Sequence, residues 1–115
     1  MSLLSELNTI LDSMNIPVET GAFSGSPSEY YAVLTPITDV FGFFADNIPQ
    51  NNIEEVRISL FDKGNYNEKK NRLVKLLLRS DISVTDRRYI GREDNTGYYH
   101  YAIDVAKNYD IKEEL

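Results

Sequence analysis

The chain has 115 residues, and several residue types are missing or nearly so. It has no cysteine, which excludes a disulfide framework, a zinc ribbon and a thiol nucleophile. It has one histidine, His100, too few for a two-histidine metal site. No apolar run approaches the roughly 18 residues that span a bilayer as a helix. The first residues, Met1-Ser2-Leu3-Leu4-Ser5-Glu6, show neither the basic flank nor the apolar run of a signal peptide. Lysine and arginine are absent from residues 1–56.

What is present describes one globular unit. The length is that of a single domain, and 42% of the residues are hydrophobic, enough to build a core without a staple. Charge is segregated along the chain. Residues 1–56 carry eight acidic groups; residues 57–92 carry ten basic and four acidic groups; residues 93–115 carry two basic and six acidic groups. The net charge of −6 therefore divides into blocks of −8, +6 and −4. Such blocks neutralise one another within a fold or give a molecule with opposite faces, suited to head-to-tail contact between copies. The overall acidity speaks against specific nucleic-acid binding.

Periodicity assigns the elements. Leu3, Leu4, Leu7, Ile10, Leu11 and Met14 form one apolar stripe of a helix over residues 2–14, with Ser2 as its cap and Asn15 and Pro17 beyond its end. Residues 19–29 are rich in Gly, Ser and Pro and read as a connector, pinned by Phe23. Residues 30–37 and 40–45 read as a hairpin that turns at Thr38-Asp39, with Pro36 at a strand end or edge. Residues 46–52 read as a polar loop. Val56, Ile58 and Leu60 alternate with Arg57, Ser59 and Phe61 in a third strand over 53–62. Asn65 caps a second helix from Tyr66 to Arg79. Residues 82–90 and 98–107 give two more strands, and residues 109–115 form a charged tail. The expected fold is α+β, a single domain with a mostly antiparallel sheet of about five strands and two helices on one face, in the order α-β-β-β-α-β-β.

No constellation of catalytic residues emerges. His100 lies in a tyrosine-rich strand, where a structural hydrogen bond is the simpler role. No Gly-x-Ser-x-Gly elbow or phosphate-binding glycine loop accompanies it. Glu54, Glu55 and Asp62 lie on or beside one strand without the lysine and further carboxylate of a metal-dependent nuclease. The eight tyrosines and five phenylalanines exceed what one face of a small sheet holds, so one each of Tyr30/Tyr31, Phe43/Phe44 and Tyr98/Tyr99 is expected to face outward.

The order of elements, together with Ser-Glu-Tyr-Tyr-Ala-Val-Leu at 28–34, Phe-Phe-Ala-Asp-Asn at 43–47, Glu-Val-Arg-Ile-Ser-Leu-Phe-Asp-Lys at 55–63 and Tyr-Tyr-His-Tyr-Ala-Ile-Asp-Val at 98–105, resembles the small tail-completion proteins of long-tailed bacteriophages and prophages, also called tail terminators or tail-to-head joining proteins. The resemblance covers roughly residues 2–107. It implies a structural protein without cofactor or enzyme activity. It implies soluble subunits, made in the host bacterial cytoplasm, that assemble as a ring, commonly a hexamer. The ring caps the head-proximal end of the tail tube, contacting the tail-tube protein and the head connector. Another neck or tail-tube protein, or a small non-viral adaptor, is the alternative reading. For the ring contact, Asp46, Asn47 and Ile48 on a long loop are expected to meet Arg87, Arg88 and Arg92 of a neighbour. Phe43 and Tyr98 would be exposed at its apolar centre.

Overall fold

The structure is a computed structural model that describes residues 2–20, 29–45 and 48–110, with side chains described at 2–18, 29–37 and 52–110. The elements are α1 (Leu3–Ser13), β1 (Val18–Thr20), β2 (Tyr30–Ala45), β3 (Ile48–Asp62), α2 (Tyr66–Arg79), β4 (Ser83–Arg92) and β5 (Tyr99–Asp110). The strands form one sheet in the order β1-β2-β3-β5-β4. Only the β1–β2 pair is parallel; the other three pairs are antiparallel.

Both helices begin and end where their capping chemistry dictates. Ser2 Oγ accepts from the Ser5 N–H at 3.2 Å, and Ser5 Oγ accepts in return from the Ser2 N–H at 3.1 Å. The N–H of Leu3, in the first turn of α1, donates to Glu54 Oε1 at 3.0 Å, which ties the positive end of the helix to β3. At the other end Asn15 adopts φ 59°, the left-handed conformation that asparagine tolerates. The Ile16 N–H then reaches Leu11 O and the Asn15 N–H reaches Asp12 O, both at 3.0 Å. Helix α2 repeats the device: Asp81 has φ 60°, Ile82 N–H donates to Leu77 O at 3.0 Å, and Asp81 N–H donates to Leu78 O at 3.2 Å. In each case the residue that follows, Ile16 or Ile82, is buried and seals the helix end against the core.

The core lies between the helices and one face of the sheet. Leu3, Leu7 and Leu11 of α1 and Leu73 and Leu77 of α2 are fully buried against Ala32 and Leu34 of β2, Ile58 and Leu60 of β3, and Ile103 and Val105 of β5. Period-2 alternation puts these strand residues on a common face, and the 3.6-residue period puts the leucines on one stripe of each helix. A half-buried network closes the far end. Glu6 Oε1 pairs with Lys107 Nζ at 2.9 Å, Lys107 also donates to Ser80 O at 3.1 Å, and Tyr109 Oη donates to Glu6 Oε2. Those contacts join α1, the end of α2 and β5. Burial works to raise the pKa of Glu6, but the hydrogen bonds from Tyr109 and Lys107 and the lysine charge outweigh it, and the net direction is down.

Tyr109 and Asp110, expected in the charged tail, continue β5 and pair with Asn52 and Asn51 of β3, and three further details differ from the sequence expectation. First, no turn forms at Thr38-Asp39. β2 runs on through both residues and pairs with β3 from Tyr30↔Asp62 to Ala45↔Ile48, so the chain reverses between residues 45 and 48. A bulge between Pro36 and Thr38 absorbs the irregularity. β1 covers β2 only at residues 32–34, so the missing N–H of Pro36 falls at an uncovered edge. Second, residues 48–52 are not loop but the start of β3. Third, Val18–Thr20 pairs as a short strand although residues 19 and 20 sit in the glycine- and serine-rich stretch. Phe23 lies outside the described residues. The 16-residue β2 is about 50 Å long at a strand's rise of ~3.3 Å per residue, and it sets the long axis of a molecule 54 × 26 × 22 Å in extent.

Two stability predictions follow from this packing. Ile58→Ala is expected to cost about 2–5 kcal/mol in urea unfolding, because the site lies in the middle strand and is fully buried. A lowered carboxyl pKa stabilises the fold above the ordinary value of 4.5, and that contribution is lost as pH falls through the folded-state value. Glu6→Gln is therefore expected to flatten the acid limb of the stability profile between about pH 3 and pH 7, measured by urea melts.

Candidate subunit interface

Among the described residues the sheet has two uncovered edges. On one side β4 is the last strand, and nearly every residue of it is exposed. On the other side β1 shields β2 only at Ala32, Val33 and Leu34, which leaves β2 from Thr35 onward as an edge. An edge strand presents main-chain N–H and C=O groups with no partner in its own sheet. Each edge also carries large apolar side chains in water. Ile37, the extra residue of the β2 bulge, is 46% exposed; on β4, Tyr89 and Ile90 are 48% and 52% exposed. Ile90 also falls at a bulge, where the register shifts between Tyr89 and Gly91. A bulged residue is released from the ladder, and this is why the two isoleucines turn outward; Thr85 marks a further bulge in β4.

The three arginines of the expected basic surface all lie on β4, but the strand divides them. Arg87 pairs with Ile103 and Arg92 with Tyr99, on the helix-covered face, whereas Arg88 pairs with Ala102 on the opposite face. Arg88 Nε lies 3.4 Å from Asp86 Oδ2, and Arg92 Nη1 lies 3.7 Å from Asp94 Oδ1. The Arg92 guanidinium also sits 5.8 Å from the centre of the Tyr99 ring. Arg87 has no carboxylate partner among the described residues. On the other side, Phe43 lies in β2 and Ile48 opens β3 opposite Ala45. Their side chains, and residues Asp46 and Asn47 entirely, lie outside the described set. In the sheet order β3 and β5 stand between β2 and the arginine strand.

Tyr98 corrects the expectation that it faces outward. It is 3% exposed. The ring meets Tyr31 edge-on at 5.3 Å and Phe61 at 6.3 Å, while Lys63 Nζ stands 4.9 Å from its centre. These groups belong to a small aromatic cluster on the face without helices, where Phe61 stacks on Tyr31 at 4.8 Å and on His100 at 4.3 Å. The cluster explains the one apolar exception in the alternation of β3. Of the adjacent tyrosines, Tyr30 packs toward the helices and Tyr31 toward this cluster. Gly97, at φ 80°, turns the chain so that Tyr98 can be tucked under, and Glu93 N–H donates to Tyr98 O at 2.8 Å to hold that turn.

His100 is a packing residue rather than a hydrogen-bonded one at Nε2, which is buried without a partner. Burial pushes its pKa down; the negative charge of Glu93 opposes this and the positive charge of Arg57 adds to it. The three carboxylates that sequence reading weighed as a metal site point elsewhere. Glu54 caps α1. Asp62 accepts from the Gly64 N–H at 2.8 Å and pairs with Lys69 at 2.9 Å. Glu55 lies one residue on from Glu54, and strand alternation turns it to the other face. Beside this cluster, Arg57 and Asp104 form a bidentate cross-strand pair at 2.8 and 3.0 Å.

The apolar residues on the edges, Ile37, Tyr89 and Ile90, were not singled out by sequence reading. Pro36 before Ile37 and Gly91 after Ile90 are the only local signals of the bulges. No family model and no curated protein matches the chain.

Because Tyr98 is core, Tyr98→Ala is expected to lower stability by about 3–5 kcal/mol in chemical denaturation. The contrasting Ile90→Ser, at an exposed position, is expected to change stability by less than about 0.5 kcal/mol.

Proposed function

We propose that the protein is a structural subunit that assembles head to tail into a ring and completes a long phage tail, the role that its resemblance to tail-completion proteins implies. The observation that supports this reading is the pair of uncovered and dissimilar sheet edges, each carrying exposed apolar side chains. When the β4 edge of one copy meets the β2 edge of the next, the sheet continues across the boundary through main-chain hydrogen bonds. Such a contact is heterologous, since two different surfaces meet, and heterologous contacts close into rings when the rotation between copies permits. Ile37 on one side and Tyr89 and Ile90 on the other would supply the apolar part of the boundary. Arg87, Arg88 and Arg92 lie within three residues of Ile90, so in this register they would face the stretch of β2 around Asp39 rather than the hairpin end, which lies about 30 Å beyond Ile37 at a strand's rise of ~3.3 Å per residue.

The working site then exists only between copies, and the reading requires no cofactor and no reacting group. A ring of six on the head-proximal end of the tube would stop tube growth and offer the head connector a matching surface. Assembly would take place in the host bacterial cytoplasm, and the ring would remain in the neck of the virion. A tail-tube subunit would use the same two edges but would go on stacking. Electron microscopy of concentrated protein separates the two, since a tube subunit forms filaments and a terminator stops at one ring.

Sedimentation analysis in the presence of purified tail tubes tests the contact. Wild type is expected to form rings that weaken as salt rises, because exposed charge pairs are screened. Arg88→Glu is expected to weaken ring formation at least several-fold. Equal ring formation by both proteins would contradict the proposed contact.

A further inference from the structure

Five cations of the described residues are held in ion pairs. Arg57, Lys69, Arg88, Arg92 and Lys107 each have a carboxylate within 4 Å. On the outer surface of α2 the pattern stops. Arg72, Lys75 and Arg79 are all exposed, and among the described residues none has a carboxylate partner. At 3.6 residues per turn the three fall within a sector of about 60° that points away from Leu73 and Leu77, the buried stripe. Their backbone positions step along the helix by about 4.5 and 6 Å. Lys63, Lys70 and Arg87 also have no carboxylate within 4 Å among the described residues, but on this molecule of net charge −6 Arg72, Lys75 and Arg79 are the unpaired cations that line up along one exposed face of a helix.

We propose that this row on α2 is a binding surface for the phosphate backbone of double-stranded DNA. Long, mobile cationic side chains at such spacing reach successive phosphates without reading bases, so the contact is independent of sequence. An acidic protein segment is the competing partner, and the observations favour the phosphate backbone. Exposed Leu78 is the only large apolar side chain beside the row, and a protein interface needs an apolar centre. Glu68, one turn before Arg72, lies in the same sector and works against any anion. The surface belongs to the helix layer and uses neither sheet edge, so the proposal stands apart from ring formation.

Fluorescence anisotropy with a 20-base-pair duplex of mixed sequence, at about 20–200 mM salt, tests it. Three phosphate contacts predict an affinity that falls with salt at a logarithmic slope of about −2.7 and that is the same for unrelated sequences. The triple variant Arg72→Glu/Lys75→Glu/Arg79→Glu is expected to bind at least tenfold more weakly with an unchanged circular dichroism spectrum. Glu68→Gln is expected to bind more tightly; should the triple variant fold poorly, this gain alone carries the test. Undetectable binding at the lowest salt, affinity unaffected by either variant, or preference for a poly-glutamate peptide over the duplex would overturn the proposal.

Discussion

One strand sets the terms for the rest of the molecule. β3 pairs with β2 along its whole length and with β5 from Asn51 to Asp62, and its residues alternate between two environments. Val56, Ile58 and Leu60 face the helices and are almost fully buried. Arg57 and Phe61 face the other way, into an ion pair and a ring cluster. A slip of one residue in either pairing would drive Arg57 into the core and expose Ile58, so register is fixed by burial. Everything placed relative to β3 inherits that register, including the two helices, the Glu54 contact to α1 and the long hairpin.

Among the described residues the sheet is covered on one face and closed at neither edge. Most single-sheet domains blunt their edges with charge, proline or bulges. This chain uses all three, with Pro36 and one bulge on the β2 edge and arginines and two bulges on the β4 edge. Yet the bulges at Ile37 and Ile90 each turn an isoleucine into water, which a purely protective edge would avoid. The same features that keep a lone subunit from pairing at random leave two complementary apolar spots for a defined neighbour. That combination supports the proposed ring contact, which calls for no pocket or reactive group.

Much of the architecture was legible in the sequence because it rests on periodicity and capping. The stripe of α1, the bounds of α2, the alternation in β3 and the face shared by Tyr99, Tyr101, Ile103 and Val105 all follow from spacing. What was not legible has a common cause. The continuation of β2 past Thr38 depends on pairing with β3, a nonlocal gain that outweighs the local turn signal. The burial of Tyr98 depends on Lys63, Phe61 and Tyr31, residues more than thirty positions away. Of the expected interface, sequence located the arginine strand, but its division between two faces follows from strand geometry and register. The bulges that expose Ile37 and Ile90 are settled only when strands pair.

The absence of cysteine allows a direct test of the central claim, that the β2 edge of one copy meets the β4 edge of the next. Ile37→Cys and Ile90→Cys are introduced together and separately, and each protein is oxidised on purified tail tubes and run on a denaturing gel. A disulfide forms only where the two Cα atoms come within about 7 Å. The account predicts a ladder of covalent oligomers for the double variant that ends at the ring number, and no ladder for either single variant. Equal cross-linking by a single variant, or a double variant that stays monomeric on assembled tails, would contradict it.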